Sequence, residues 1–597
     1  MKKLSVKLLA IVLCFTLVFT FTTPAFAGAS DVYEYTEEEL ALEKKGQMIS
    51  NLLEFLLNDL IIGVLARLIP NLQFVADYAE VAAAPVSPDF YMGNTSFLEA
   101  GSGNYTWNVG YAKRSIIPDD FPNFLKYARG SYAPWGYSFG FYQDDDGNDE
   151  DMFVRTVVID DNTGRGVHVL CSVDCIGISN TDVRKIRSAI AELAAEKNII
   201  SINISSIHSH QAIDSQGVWN NPLATIITNV GTYYGTDTPV YKYGVNEDYL
   251  NKIISSTKES VEAAFDDMKA GKLTYTDIEL DGYMGARTVS EKCDGNIHRF
   301  SFYPDDGSKG TLIASFGAHP EMTSYGAEFT GDLSADFVYY MDKLVSKAGM
   351  NFMYIQGNVG TNSVQTGASN DGFEFDNNHD KMIRYAYEMA YICLGANMSY
   401  DERAALNDEL GDVLGVAAYK DNEGYTVWYE DLDTFEEEPI EAFLNVRMKE
   451  VDLVIENTTA LTLMKLGLAS NAIAYNEEDH QYYTKTEIGI MEFGDTVTAF
   501  LSPGEMYSEL YVGGYGLRYS DYNSLREDYG EDVILFDLMN DAAGYICPEE
   551  TYTVYGYKYS PSSGELEEDS WCLLVSIGKP TATVLMREYA NLVAEVA

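Results

Sequence analysis

The chain has 597 residues, with 46% hydrophobic and 13% aromatic content, so length and composition allow a large core and exclude a disordered or fibrous protein. Forty basic residues against 91 acidic give a net charge of −51, which repels nucleic acid and anionic membrane and excludes both as partners held by charge. The seven cysteines are scattered without a Cys-x-x-Cys pair, which excludes a zinc finger.

At the N-terminus, Lys2, Lys3 and Lys7 precede an apolar run from Leu8 to Phe21, and Ala25-Phe26-Ala27 forms a small-x-small cleavage site. This pattern is a secretory signal peptide over residues 1–27, so the mature protein is expected to be secreted. Cys14 reads as part of the apolar run, which is shorter than the about 20 residues a permanent span needs.

Residues 28–106 read as an N-terminal helical extension and linker. From Met48 to Val75 the apolar residues (Leu52, Leu53, Leu56, Leu57, Leu60, Ile61) recur at helical spacing, while Glu54, Asp59 and Arg67 make a poor bilayer span. A helix packed on the main domain is expected; an interfacial helix that meets lipid is the sharper alternative. Ala82-Ala83-Ala84-Pro85 reads as a linker.

Residues 107–597 carry no repeat and no break in composition, and read as one catalytic domain. Arg155–Asp160 and Val167–Asp174 are rich in Val, Ile and Leu around Asn162-Thr163-Gly164, which predicts a hairpin. Helices are expected over Asp182–Glu196, Glu247–Lys269, Leu333–Ala348 and Lys381–Leu394, and strands over Ile199–Ser206, Thr311–Phe316, Phe352–Ile355 and Val497–Leu501. The alternation predicts an α/β fold, a mixed β-sheet core flanked by helices.

Only seven histidines occur, so their positions are informative. The strand Ile199–Ser206 ends in Ile207-His208-Ser209-His210, where residues two apart point the same way. Thr311–Phe316 ends in Gly317-Ala318-His319-Pro320, and Val497–Leu501 in Ser502-Pro503-Gly504-Glu505. Ligand sites of α/β sheets gather at such strand ends, and two His with one Glu and an open fourth position make a catalytic zinc set. His379 and His480, in acidic polar stretches, read as surface residues; His168 and His298 read as structural.

These segments resemble the neutral ceramidases. Asn203-Ile204-Ser205-Ser206-Ile207-His208-Ser209-His210 is similar to the family's segment with a Thr-His-Thr-His core. Ser315-Phe316-Gly317-Ala318-His319-Pro320, followed by Gly331-Asp332, resembles its second histidine segment. Gln356-Gly357-Asn358-Val359-Gly360-Thr361-Asn362-Ser363 resembles the Asn-Val-Gly-Asp-Val-Ser segment. Pro503-Gly504-Glu505 and Gly544-Tyr545 with Pro548-Glu549-Glu550 match its later motifs, and Val109-Gly110-Tyr111-Ala112-Lys113-Arg114 its opening strand.

The resemblance implies a neutral-ceramidase-like catalytic domain with one Zn2+ held by His208, His319, Glu505 and Tyr545. It further implies catalytic roles for His210, Arg287, Ser363 and Tyr557, the last twelve residues after Tyr545. His210 is expected to move a proton, Arg287 and Tyr557 to steady an oxyanion, and Ser363 to bind a substrate hydroxyl or act as nucleophile. The implied activity is hydrolysis of the N-acyl amide bond of ceramide or a ceramide-like lipid, with that lipid as partner and a transient membrane-surface contact. About forty residues follow Tyr557, so the family's C-terminal immunoglobulin-like domain is not expected.

The chain departs from the family around the pocket. Gln211-Ala212-Ile213-Asp214 stands where the family has Ser-Gly-Pro, Thr361-Asn362 replaces Asp-Val, and Ala286 and Thr288 flank Arg287. A zinc hydrolase acting on another N-acyl lipid or amide, and a secreted binding protein without catalysis, are the alternative readings.

Overall fold

The computed structural model describes residues 36–69, 71–119, 151–218, 245–280, 282–286, 293–322, 335–365, 378–414, 433–514, 520–553, 556–560, 563–568 and 575–597. The expected signal peptide, Arg287 and Gly331-Asp332 lie outside them.

Runs of Val, Ile and Leu make strands buried on both faces, as they must be where other layers cover each side. The hairpin expected around Asn162-Thr163-Gly164 joins Phe153–Asp160 antiparallel to Val167–Val173, with Asn162 at φ 53° and Gly164 at φ 77°. Val167–Val173 then pairs in parallel with Ile199–Ser206. These strands end one side of a nine-stranded mixed sheet. Its order is Asn351–Gln356, Thr311–Phe316, Ile297–Pro304, Lys269–Ile278, Trp107–Ser115, Phe153–Asp160, Val167–Val173, Ile199–Ser206, with Glu438–Pro439 paired to Lys269–Ile278. The first and last pairs along this order are parallel and the rest antiparallel.

The strands expected at Ile199–Ser206, Thr311–Phe316 and Val497–Leu501 form over those spans, and Phe352–Ile355 lies within Asn351–Gln356. The helices run Asn180–Lys197, Phe337–Lys347 and Asn378–Gly395; that from Glu247 stops at Asp266, because Lys269 opens the strand Lys269–Ile278. Asn198, in the left-handed conformation (φ 54°), closes Asn180–Lys197.

A second sheet was not legible as such. Gln481–Phe493 pairs with Leu444–Val454 along the whole length of the latter, and the path runs Val75–Asp77, Ile473–Asn476, Gln481–Phe493, Val497–Leu501, Ile534–Phe536. In Leu444–Val454, Leu444, Val446 and Met448 face the core between the sheets, and past Glu450 the alternation changes face, so that Val451 and Leu453 join the core that Leu585 and Tyr589 share.

The two sheets pack face to face. Phe300 of the larger stands 4.6 Å, ring centre to ring centre, from Phe493 of the smaller, within a core that also joins Trp107, Met353, Val497 and Ile534. Asn180–Lys197 and Glu247–Asp266 cover one part of the larger sheet's outer face, Phe337–Lys347 and Asn378–Gly395 another. Leu585, Tyr589 and Leu592 of Thr581–Val596 cover the smaller sheet. The result is four layers, α/β/β/α.

The N-terminal extension joins this body. Thr36 caps a helix over Glu37–Glu54 in a reciprocal capping box with Glu39. The helix continues as a π-helical stretch Phe55–Ile62 and as Gly63–Leu68, so the helix expected over Met48–Val75 starts earlier and ends at Leu68. Val75–Asp77 adds a parallel strand to Ile473–Asn476.

Candidate metal centre

The strand ends meet between the two sheets. His208 and His210 follow Ile199–Ser206, His319 follows Thr311–Phe316, Ser363 lies beyond Asn351–Gln356, and Glu505 follows Val497–Leu501. Backbone bonds lock these segments together: His210 N–H donates to Pro320 O at 3.0 Å, Gly357 N–H to Phe316 O at 3.1 Å, and Ser206 N–H to Leu538 O at 3.2 Å. Close approach needs glycine at two places. A Cβ on Gly317 would stand 1.8 Å from Asn358 O, and one on Gly360 would stand 2.3 Å from Met506 O.

His208, His210 and His319 form a buried group whose ligand atoms lie within 4.8 Å of one another, an arrangement that could hold a metal ion. Glu505 joins it: one carboxylate oxygen, Oε2, stands 3.3 Å from His208 Nε2 and 3.4 Å from His319 Nε2. A tetrahedral zinc with bonds of about 2.0–2.1 Å separates its ligand atoms by about 3.3–3.4 Å, so these spacings suit one shared cation. The other ring nitrogens are spoken for. His208 Nδ1 bonds Ile176 O at 2.8 Å and His319 Nδ1 bonds Asn362 O at 2.6 Å. A carbonyl only accepts, so each Nδ1 carries a proton and each Nε2 is the atom left to face Glu505, where it could take up a cation in place of a proton.

The electrostatics agree with that donor set. Burial disfavours charge on His208, yet the Glu505 carboxylate outweighs it and raises the imidazole above its ordinary range. Burial likewise opposes charge on Glu505, but His208 and His319 hold the carboxyl well below the usual carboxylate range. A buried anion between two imidazoles is a site built for positive charge. His208 also sits at φ 68°, unusual for a residue with a Cβ and of the kind that concentrates at functional sites.

Tyr545 is the register partner of Glu505 in a short parallel ladder, Glu505–Met506 with Tyr545–Ile546, which puts the two side by side. It is buried with Tyr507, Cys547 and Tyr552. His210 lies beside the pair of imidazoles, its ring centre 4.8 Å from that of His208, with Nε2 3.8 Å from Glu321 Oε2. Ser363 is buried on Asn362–Val364, which pairs antiparallel with Met284–Ala286, the strand immediately before Arg287. Tyr557 opens the hairpin Tyr557–Ser560 with Glu565–Glu568; it is half-buried, and its N–H donates to Ser50 Oγ at 2.6 Å.

Several contributors were missed. Glu321 directly follows His319-Pro320, and its place in the sequence was the available signal. Asn362 and Ile176 act through backbone carbonyls, which side-chain identity does not reveal. Asp537 Oδ2 accepts from Val359 N–H at 2.9 Å and Met506 N–H at 3.1 Å, tying the Ser363 loop to the Glu505 loop.

The remaining histidines divide differently from expectation at one place. His379 is buried, not a surface residue, because its helix turns it toward Tyr340, whose OH lies 3.3 Å from Nε2. His480 is exposed, whereas His168 and His298 are buried on Ser201 and on Tyr275 with Asp294.

No protein-family profile matches the sequence, and no curated protein matches it. Among solved structures, the neutral ceramidase from Pseudomonas aeruginosa is similar with a TM-score of 0.52 and 14% identity, over 83% of this chain and 75% of that one. A ceramidase complexed with C2 aligns with a TM-score of 0.48 and 14% identity, over 82% of this chain and 76% of that one. At such identity the likeness concerns architecture, and the architecture of this chain is the neutral-ceramidase fold.

Proposed function

We propose that this protein is a secreted, zinc-dependent amidohydrolase that cleaves the N-acyl amide bond of ceramide or a ceramide-like lipid. The observation that carries the reading is the convergence of His208 Nε2, His319 Nε2 and Glu505 Oε2 at 3.3 and 3.4 Å, with both Nδ1 atoms held by carbonyls. The fold shared with a neutral ceramidase supports the substrate class.

In this reading His208, His319, Glu505 and Tyr545 hold the ion. Zinc bound there supplies a water that ionises near neutral pH and polarises the acyl carbonyl. His210, backed by Glu321, takes the proton from the attacking water and passes it to the leaving amine, work that suits an imidazole. Arg287 and Tyr557 donate to the oxygen that gains charge. Ser363 binds a substrate hydroxyl from its place beside Asn362.

The test is metal content of the purified chain beside His319→Ala. Wild type is expected to carry one zinc per chain and the variant none. Wild type that takes up no zinc would refute the assignment.

A further inference from the structure

The helix Glu37–Leu68 is long and apolar enough to cross a membrane, yet only 17% of its most apolar stretch is buried in the body. Its inward positions are small or polar: Gly46, Ser50, Asn58, Gly63 and Ala66. There Ser50 Oγ accepts from Tyr557 N–H at 2.6 Å, and Glu43 Oε2 accepts from Tyr559 N–H at 2.6 Å. Further along, Thr458 Oγ1 donates to Asn58 Oδ1 at 2.7 Å, and Lys465 Nζ donates to Ala66 O at 2.9 Å.

The π-helical stretch explains how one face stays inward. Residues four apart drift by about 40° per step round a helix of 3.6 residues per turn. Gly46, Ser50 and Asn58 lie on that drifting series; the wider turn resets it, so that Asn58 and Gly63, five apart, both face the body.

The large apolar side chains face outward. Met48, Leu52, Phe55, Leu60, Val64 and Leu68 are 46–67% exposed, a stripe about 30 Å long at 1.5 Å per residue. Monomers rarely leave a contiguous apolar strip of that extent to water. Between Gln47 and Ile69 the charged residues are Glu54, Asp59 and Arg67. Glu54 is turned partly inward, Asp59 is the one charged residue exposed within the span of the stripe, and Arg67 is exposed at its end.

What covers the stripe follows from charge and from the inward bonds. A second copy would bring another net charge of −51 against the first, which opposes association. A membrane-spanning helix would have to abandon the bonds to Tyr557, Tyr559, Thr458 and Lys465. A helix held to a body on one side, with a long apolar stripe on the other, lies in the headgroup–acyl boundary.

We propose that the outward face of Glu37–Leu68 docks the protein on the surface of an uncharged lipid assembly. The inference rests on the lipid-substrate reading of the metal centre and deepens it. The inward face of the same helix bonds Tyr557 and Tyr559, so the docking element is joined directly to a strand with an expected catalytic tyrosine. The net charge sets a preference for zwitterionic over anionic lipid.

The test is flotation of the full mature chain with vesicles of phosphatidylcholine, alone or mixed with phosphatidylserine. It is run beside a variant combining Leu52→Glu, Phe55→Glu and Leu60→Glu, with thermal unfolding and turnover of a micellar short-chain ceramide measured in parallel. Wild type is expected to float with phosphatidylcholine and less with the mixture. The variant is expected to bind more than about tenfold more weakly while unfolding at the same temperature and keeping its micellar turnover. Wild type left in the soluble fraction, or floating no better than the variant, overturns the proposal; micellar turnover would then still stand for the metal centre. A wild-type dimer that the variant dissociates, with no flotation, overturns it in favour of a second copy. Vesicle binding lost in the variant, with no ceramide turnover in either protein, supports the docking face and counts against the substrate reading alone.

Discussion

His319 donates from Nδ1 to the carbonyl oxygen of Asn362 at 2.6 Å, across 43 positions of sequence. That bond fixes which imidazole nitrogen faces Glu505 and anchors the residue preceding Ser363. Gly317 is what lets the two loops approach, since a Cβ there would meet Asn358 O at 1.8 Å. Gly317→Ala therefore has to displace the Asn358 carbonyl and the Asn362 side chain, and with that loop the Asn362 carbonyl that His319 bonds. The expected result is a loss of about 10–100-fold in zinc affinity, read by competition with a chromophoric chelator, in a protein that still folds. Unchanged affinity would mean that this carbonyl does not orient the ligand.

Two ligand sets compete at the centre: His208 and His319 with Glu505, or the three histidines together. The short contacts to Glu505, and the 3.8 Å approach of His210 to Glu321, favour the first. His210→Ala is accordingly expected to retain zinc and lose at least about 100-fold in turnover, the range of general acid–base catalysis. Glu505→Gln is expected to lose both. Zinc loss from His210→Ala, measured by metal analysis after gel filtration, would shift the assignment to the three histidines.

Asp537 holds two loops with one oxygen. Asp537→Ala leaves the N–H groups of Val359 and Met506 buried without their acceptor, at a cost of about 2–4 kcal/mol. Asp537→Asn keeps an acceptor of the same shape and is expected to cost less than half as much. Denaturant unfolding of the two variants separates this tie from simple volume loss.

His298 provides a pH signature outside the candidate metal centre. Burial lowers its pKa, but Asp294 at 3.1 Å and Asp277 at 3.3 Å outweigh burial and raise it to about 9. A folded-state value above the ordinary 6.5 means the stabilisation is complete below pH 6.5 and is lost as pH rises through 9. The difference in unfolding free energy between wild type and His298→Gln should be largest near pH 6 and narrow steadily toward pH 9.5. A difference independent of pH would show that His298 packs there as a neutral ring.

Strands buried on both faces were legible because their Ile, Leu, Val and Phe are separated only by short uncharged residues; Ile199–Ser206, Thr311–Phe316 and Val497–Leu501 needed no adjustment. Leu444–Val454 was not, because charged residues separate its apolar ones and the apolar face changes sides at Glu450. At the site, His208, His319 and Glu505 could be found because each directly follows an apolar strand. Their orientation could not, since it depends on carbonyls of Ile176 and Asn362 that any residue would offer. His379 was misjudged from its acidic neighbours, although it lies on the helix Asn378–Gly395, whose packing against Phe337–Lys347 buries it. The outward apolar stripe of Glu37–Leu68 was visible only as a periodicity; which face turned inward depended on Gly46, Ser50 and a π turn.

The most direct measurement is fatty-acid release from a fluorescent short-chain ceramide by the purified mature chain, followed before chelation, after chelation and after zinc is restored. The expected course is turnover that falls to background with chelator and returns with one equivalent of zinc per chain. Turnover indifferent to chelator would contradict the metal mechanism, and zinc bound without any turnover would contradict ceramide as the substrate.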